Sequence, residues 1–125
     1  MTLRTSLSRA LAPLGFAVGL LVACIGSFEG ECPAGSTCEC DGIGSCEQRC
    51  VGGDCQFSCD GIGSCEFDCP DGGCQAECSG QGSCEMSCPG GGCEMICSGT
   101  GSCELVDCPE GACTFECATV GSCSQ

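Results

Sequence analysis

The chain has 125 residues, 21 of them cysteine and 22 glycine, and a formal charge of −14 at pH 7. It contains no histidine, tyrosine, tryptophan or lysine. The usual general bases are therefore missing, and the composition argues against an enzyme. The acidic balance argues against nucleic acid and anionic membrane surfaces as partners.

Residues 1–23 read as an export signal. Arg4 and Arg9 form a short basic start, and Ala10 to Ala23 is an apolar run of 14 residues. A membrane-spanning helix needs about 20 residues, so this run is a signal-peptide core. It ends in Leu21-Val22-Ala23-Cys24, which resembles the lipobox of bacterial lipoproteins. That resemblance implies cleavage before Cys24, a diacylglycerol on its sulfur and an acyl chain such as palmitate on its new amino group. The membrane is then a partner through the N-terminal lipid alone. Ile25 stands where aspartate marks inner-membrane retention in some bacteria, which points to the outer membrane. The count of 21 cysteines is odd, and an odd cysteine in an exported chain needs its own explanation. Lipidation of Cys24 leaves twenty for pairing.

Residues 24–31 read as a lipidated N-terminus and spacer. Residues 32–125 form a Cys/Gly-rich repeat domain. All 17 acids lie after Cys24, with Arg49 as the one base, so the side-chain charge there is −16. Ala, Val, Ile, Leu, Met and Phe together number only 18 in that stretch. Such a chain cannot offset its ordering entropy by apolar burial alone. High cysteine content in a small exported chain points to cross-linking, because the compartment outside the cytoplasmic membrane is oxidising.

From Cys40 the cysteines repeat on a 19-residue beat, with one extra residue in the fourth unit. A fixed period of this size signals a stacked architecture. The opening Cys32–Cys40 segment is a shortened unit, and the chain stops within a fifth. Each unit has two halves, C-x-G-x-G-S-C-E-x-x and C-P-x-G-G-C-x-x-x. Five-residue segments such as Cys46–Cys50, Cys55–Cys59 and Cys65–Cys69 link the turns. Read as strands with period two, they point both cysteines and the middle residue one way. That middle residue is Gln48, Phe57, Phe67, Ala76, Met86, Met95 and Phe115 in turn. The positions between are mostly polar, with Ile96 an exception. Gly42, Gly44, Gly61, Gly63, Gly80, Gly82, Gly99 and Gly101 fall in the turns, where positive φ would ease reversal. The expected fold is all-β: a small, thin, disulfide-rich β-solenoid of about five rungs, two short strands per rung.

Geometry narrows the disulfide connectivity. Cysteines at the two ends of a five-residue strand lie about 13 Å apart, beyond the ~7 Å Cα limit of a disulfide. Cysteines flanking a turn can meet. Pairing across every turn gives Cys32–Cys38, Cys40–Cys46, Cys50–Cys55, Cys59–Cys65, Cys69–Cys74, Cys78–Cys84, Cys88–Cys93, Cys97–Cys103, Cys108–Cys113 and Cys117–Cys123. All twenty cysteines are used. Bonds between adjacent rungs, such as Cys50–Cys69, are the rival, since equivalent residues would lie ~4.8 Å apart.

Cys-rich, aromatic-poor chains resemble metallothioneins, but Cys38-Glu39-Cys40 is the only C-x-C here and C-x-x-C is absent. Stacking would also align Glu47, Glu66, Glu85 and Glu104, if the extra residue of unit four follows Glu104. That column is a weak candidate for a Ca²⁺-binding stripe. Its plainer role is a solvated acidic face that opposes edge-to-edge aggregation. Disulfide laddering also resembles insect antifreeze proteins, but Thr37, Thr100, Thr114 and Thr119 form no column. The expected role is that of a lipid-anchored envelope protein, structural or interactive and without a cofactor, with a metal-binding lipoprotein as the alternative. No protein or glycan partner is named by the sequence.

Overall fold

The computed structural model describes residues 28–118 and 120–125. The export signal, the lipobox, Cys24, Ile25 and Thr119 lie outside the described residues. The strands are β1 (Phe28–Pro33), β2 (Thr37–Cys40), β3 (Cys46–Val51), β4 (Gln56–Cys59), β5 (Cys65–Asp68), β6 (Gln75–Cys78), β7 (Cys84–Ser87), β8 (Glu94–Cys97), β9 (Cys103–Val106), β10 (Thr114–Cys117) and β11 (Cys123–Ser124). Odd-numbered strands form one six-stranded sheet and even-numbered strands a five-stranded one, each in chain order. Every pairing is parallel. The fold is therefore an all-β solenoid of about five rungs, with two strands per rung.

A 19-residue offset relates the central rungs, as in Cys46 with Cys65 and Cys59 with Cys78. The opening pair is one residue shorter, matching Cys32 with Cys50. The last rung is one residue longer, matching Cys97 with Cys117 and Cys103 with Cys123. Since Ser87 still pairs with Val106, the extra residue is Asp107, which holds φ 55°. A short side chain that can bond locally is among the few non-glycine choices for that conformation.

The core is one side chain thick, between the two sheets. Phe57, Phe67, Ala76, Met86 and Met95 are buried in it, Gln48 is its buried polar member, and Phe115 is half-buried in the last full rung. Period-two alternation placed these residues on the inner face. Leu105 is also buried there. Phe57 of β4 and Phe67 of β5 stack across the sheets with ring centroids 4.5 Å apart and planes 8° from parallel. Cysteines supply most of the remaining buried surface. With so few apolar residues, the sulfur rows complete the core.

Two expectations need correction. Strand β1 reaches back to Phe28, so four residues of the supposed spacer, Phe28 to Glu31, pair in the ladder, Glu29 with Glu47 among them. The glycines of the G-x-G-S turns do not adopt positive φ. They are required for a different reason. Their backbones stack directly on one another from rung to rung, and a Cβ on Gly63, Gly82 or Gly101 would overlap the carbonyl oxygen of Gly44, Gly63 or Gly82. Positive φ belongs to the opposite turns, as at Gly72 (78°) and Gly73 (74°). Both turn columns also continue the hydrogen-bond ladder. Gln81 N–H donates to the Gly61 carbonyl at 3.0 Å, and Gly73 N–H donates to the Gly91 carbonyl at 3.0 Å.

Candidate functional site: sulfur columns and an acidic ladder

Two kinds of residue row run along the stack. The first is sulfur. Every turn brings its two flanking cysteines within 5.8–6.5 Å at Cα and joins them. One edge of the solenoid carries Cys32–Cys38, Cys50–Cys55, Cys69–Cys74, Cys88–Cys93 and Cys108–Cys113. The other carries Cys40–Cys46, Cys59–Cys65, Cys78–Cys84, Cys97–Cys103 and Cys117–Cys123. Each turn is thus a small closed loop of backbone and sulfur, and the strands link these loops into a continuous coil.

Neighbouring disulfides also come close to one another. The sulfurs of Cys50, Cys55 and Cys74 lie within 4.8 Å of one another, as do those of Cys69, Cys88 and Cys93, and those of Cys78, Cys97 and Cys103. Each trio joins one complete disulfide to one sulfur of the adjacent rung. All nine residues are buried. A rung spacing of about 4.8 Å allows such an approach when disulfides stack in register, and among the described residues three neighbouring pairs show it. The sequence predicts the columns, whereas the trios depend on how neighbouring rungs pack.

The second row is carboxylate. Glu29, Glu47, Glu66, Glu85 and Glu104 are consecutive partners on the outer face of the six-stranded sheet. The ladder is one residue longer than the sequence suggests, because Glu29 sat in the presumed spacer. Ser45, Ser64 and Ser83 flank it, and a shallow groove runs between the two rows. Glu85 in mid-ladder has its carboxyl pushed above the ordinary value of 4.5, first by loss of solvent and then by the negative charge of Glu66, Glu104 and Asp107. Among the described residues, these carboxylates do not converge: the groups of three ligand atoms within 4.8 Å are formed by sulfur alone. The ladder is an extended charged surface and not a closed cage of the kind that six to eight oxygens make around Ca²⁺.

Arg49 answers part of this charge. Its guanidinium pairs with Asp68 one rung on, and both side chains remain solvent-accessible. A pair of this exposure contributes little stability. The outer face of the second sheet is polar rather than uniformly acidic. Thr37, Gln56, Gln75, Glu94 and Thr114 stack in one row. Thr37 Oγ1 donates to Gln56 Oε1 at 3.4 Å, and Gln75 Nε2 donates to Glu94 Oε2 at 3.5 Å. Ile43 and Ile62 protrude from adjacent G-x-G-S turns at 66% and 58% exposure, each preceded two residues earlier by an aspartate that offsets the apolar character of the edge.

No family model, curated protein or solved structure matches this chain.

Proposed function

We propose that the chain is an exported, lipid-anchored protein of the bacterial envelope with a structural or interaction role and no catalytic activity. One observation carries the anchor: every cysteine from Cys32 onward is consumed in a disulfide, so the odd one is Cys24, at the end of Leu21-Val22-Ala23-Cys24. Ten disulfides fit an oxidising compartment outside the cytoplasm. A rigid, cross-linked and highly acidic rod suits a spacer or display element at a surface. Ile25 after the lipidated residue favours the outer membrane. Replacement Cys24→Ser should move the protein from the membrane fraction to the soluble fraction, and mass spectrometry of the parent should find a diacylglyceryl group on Cys24. A variant that still partitions with membranes, beside a parent with unmodified Cys24, would sink the anchor.

The sulfur trios support a second reading, a metal-binding lipoprotein in which reduced thiolates take up a soft ion. The two readings part on reduction. The structural reading expects unfolding alone. The metal reading expects Zn²⁺ or Cu⁺ to restore order to the reduced chain.

A further inference from the structure

The stacked disulfides do more than close turns. In each trio, one sulfur of a rung lies within 4.8 Å of both sulfurs of the neighbouring disulfide. Cys74 faces the Cys50–Cys55 bond, and its own partner Cys69 faces the Cys88–Cys93 bond. One disulfide thus approaches the rung before it with one sulfur and the rung after it with the other, each within 4.8 Å. On the opposite edge Cys78 faces the Cys97–Cys103 bond. That bond pairs in register with Cys117 and Cys123 of the last rung, which are exposed. Inner disulfides are shielded from external thiols, whereas the terminal one is open to them.

We propose that this edge is a thiol–disulfide exchange path, in which a dithiol reductant loads the exposed Cys117–Cys123 bond, strand register brings the resulting thiols to Cys97–Cys103, and the sulfur trio carries them on to Cys78–Cys84. The chemistry balances at each step. The external dithiol attacks one terminal sulfur as thiolate, forms a mixed disulfide and releases the other. Its second thiol then displaces the protein, so the reductant leaves as its own disulfide and two protein thiols remain. Further in, with Cys97 and Cys103 reduced, the Cys103 thiolate attacks Cys78 Sγ. The Cys78–Cys84 bond breaks, a Cys78–Cys103 bond forms and Cys84 leaves as thiolate. Cys97 then attacks Cys103 Sγ, restoring Cys97–Cys103 and freeing Cys78. Two electrons and two protons have moved one rung, and no oxidant is consumed. A side-chain rotation brings a sulfur within 4.8 Å into contact, so no strand need open. Near-identical rungs keep successive states close in energy.

The test is a matched pair of single substitutions in the full chain. Cys84→Ser leaves Cys78 as a thiol facing a disulfide, while Cys78→Ser leaves Cys84, which belongs to no sulfur trio. After acid quench, alkylation and non-reducing peptide mapping, the free thiol of C84S should be spread over Cys78, Cys97 and Cys103, with about a third on each if the three states are equal in energy. The free thiol of C78S should stay on Cys84. Label confined to Cys78 in C84S, or identical spreading in both variants, overturns the proposal. Should either variant fail to fold, wild-type protein with one equivalent of dithiothreitol replaces it. Label should then appear first on Cys117 and Cys123 and later on Cys97, Cys103 and Cys78. Label that stays on the terminal pair, or that appears on all rungs at once, contradicts the path.

Discussion

The two turn columns place different demands on the same residue. On the G-x-G-S side the glycines have ordinary φ, and from Gly61 onward they have no room: the preceding rung's backbone lies where a side chain would begin. On the P-x-G-G side a left-handed φ is added to the crowding: Gly72 holds φ 78° and its Cβ would also meet the Gly91 carbonyl, while at the ends of the column the demand is conformational alone. Gly111 has φ 73° with nothing within 4 Å of a built Cβ, and Asp54 takes with φ 58° the position that Gly73 holds one rung later. Steric exclusion tolerates no substitute, whereas a left-handed φ tolerates an aspartate. Composition alone cannot tell these cases apart. Backbone φ separates them.

The largest effect should come from removing the sulfur that closes both columns. Each loop of this length contributes about 2 kcal/mol in the chain-entropy model. Ten such bonds outweigh what the thin core supplies. Full reduction should abolish the β signal in circular dichroism, and a reduced chain that keeps its spectrum would show that stacking alone suffices.

Next in size is the crowded column. Gly82→Ala drives a methyl into the Gly63 carbonyl, a backbone atom held in the ladder. Overpacking against backbone should cost about 3 kcal/mol, read as a lower midpoint in chemical unfolding with disulfides intact. Gly111→Ala in the other column meets open space and bears only the left-handed penalty, about 1 kcal/mol. Equal losses in the two variants would erase the distinction between the columns.

The smallest effect concerns the acidic ladder. The Glu85 carboxyl is raised, so the folded chain holds that proton more tightly than the unfolded one. The stability linked to it is fully present below the unfolded pKa and is lost as pH rises through the raised value. Glu85→Gln should therefore raise the melting temperature at pH 7 slightly and reduce the gain that wild type shows on acidification towards pH 4.5. An unchanged pH profile would mean that the ladder carries no net repulsion at Glu85.

Much of the fold was legible in the sequence because the constraint is periodic. A 19-residue beat, strands of period two and the reach of a disulfide together specify rung, inner face and turn. The parts that were not legible break that periodicity. Leu105 is buried like Met86, its partner one rung back. Its segment carries the extra Asp107, so it does not match the five-residue strand template. Glu29 and Phe28 lie before the first repeat cysteine, where no beat marks a strand, yet β3 offers a free edge that they pair with. The sulfur trios and the reason for the G-x-G-S glycines depend on contacts between rungs, which spacing within one rung does not express. Lipidation of Cys24 rests on a four-residue resemblance and on parity.

The central claim is that turns, and not neighbouring rungs, are bonded in the oxidised protein. Non-reducing peptide mapping under acid, with any free thiols blocked first, tests it directly. Linked peptides containing Cys59–Cys65 and Cys69–Cys74 are the predicted result, and recovery of Cys50–Cys69 in their place would contradict it.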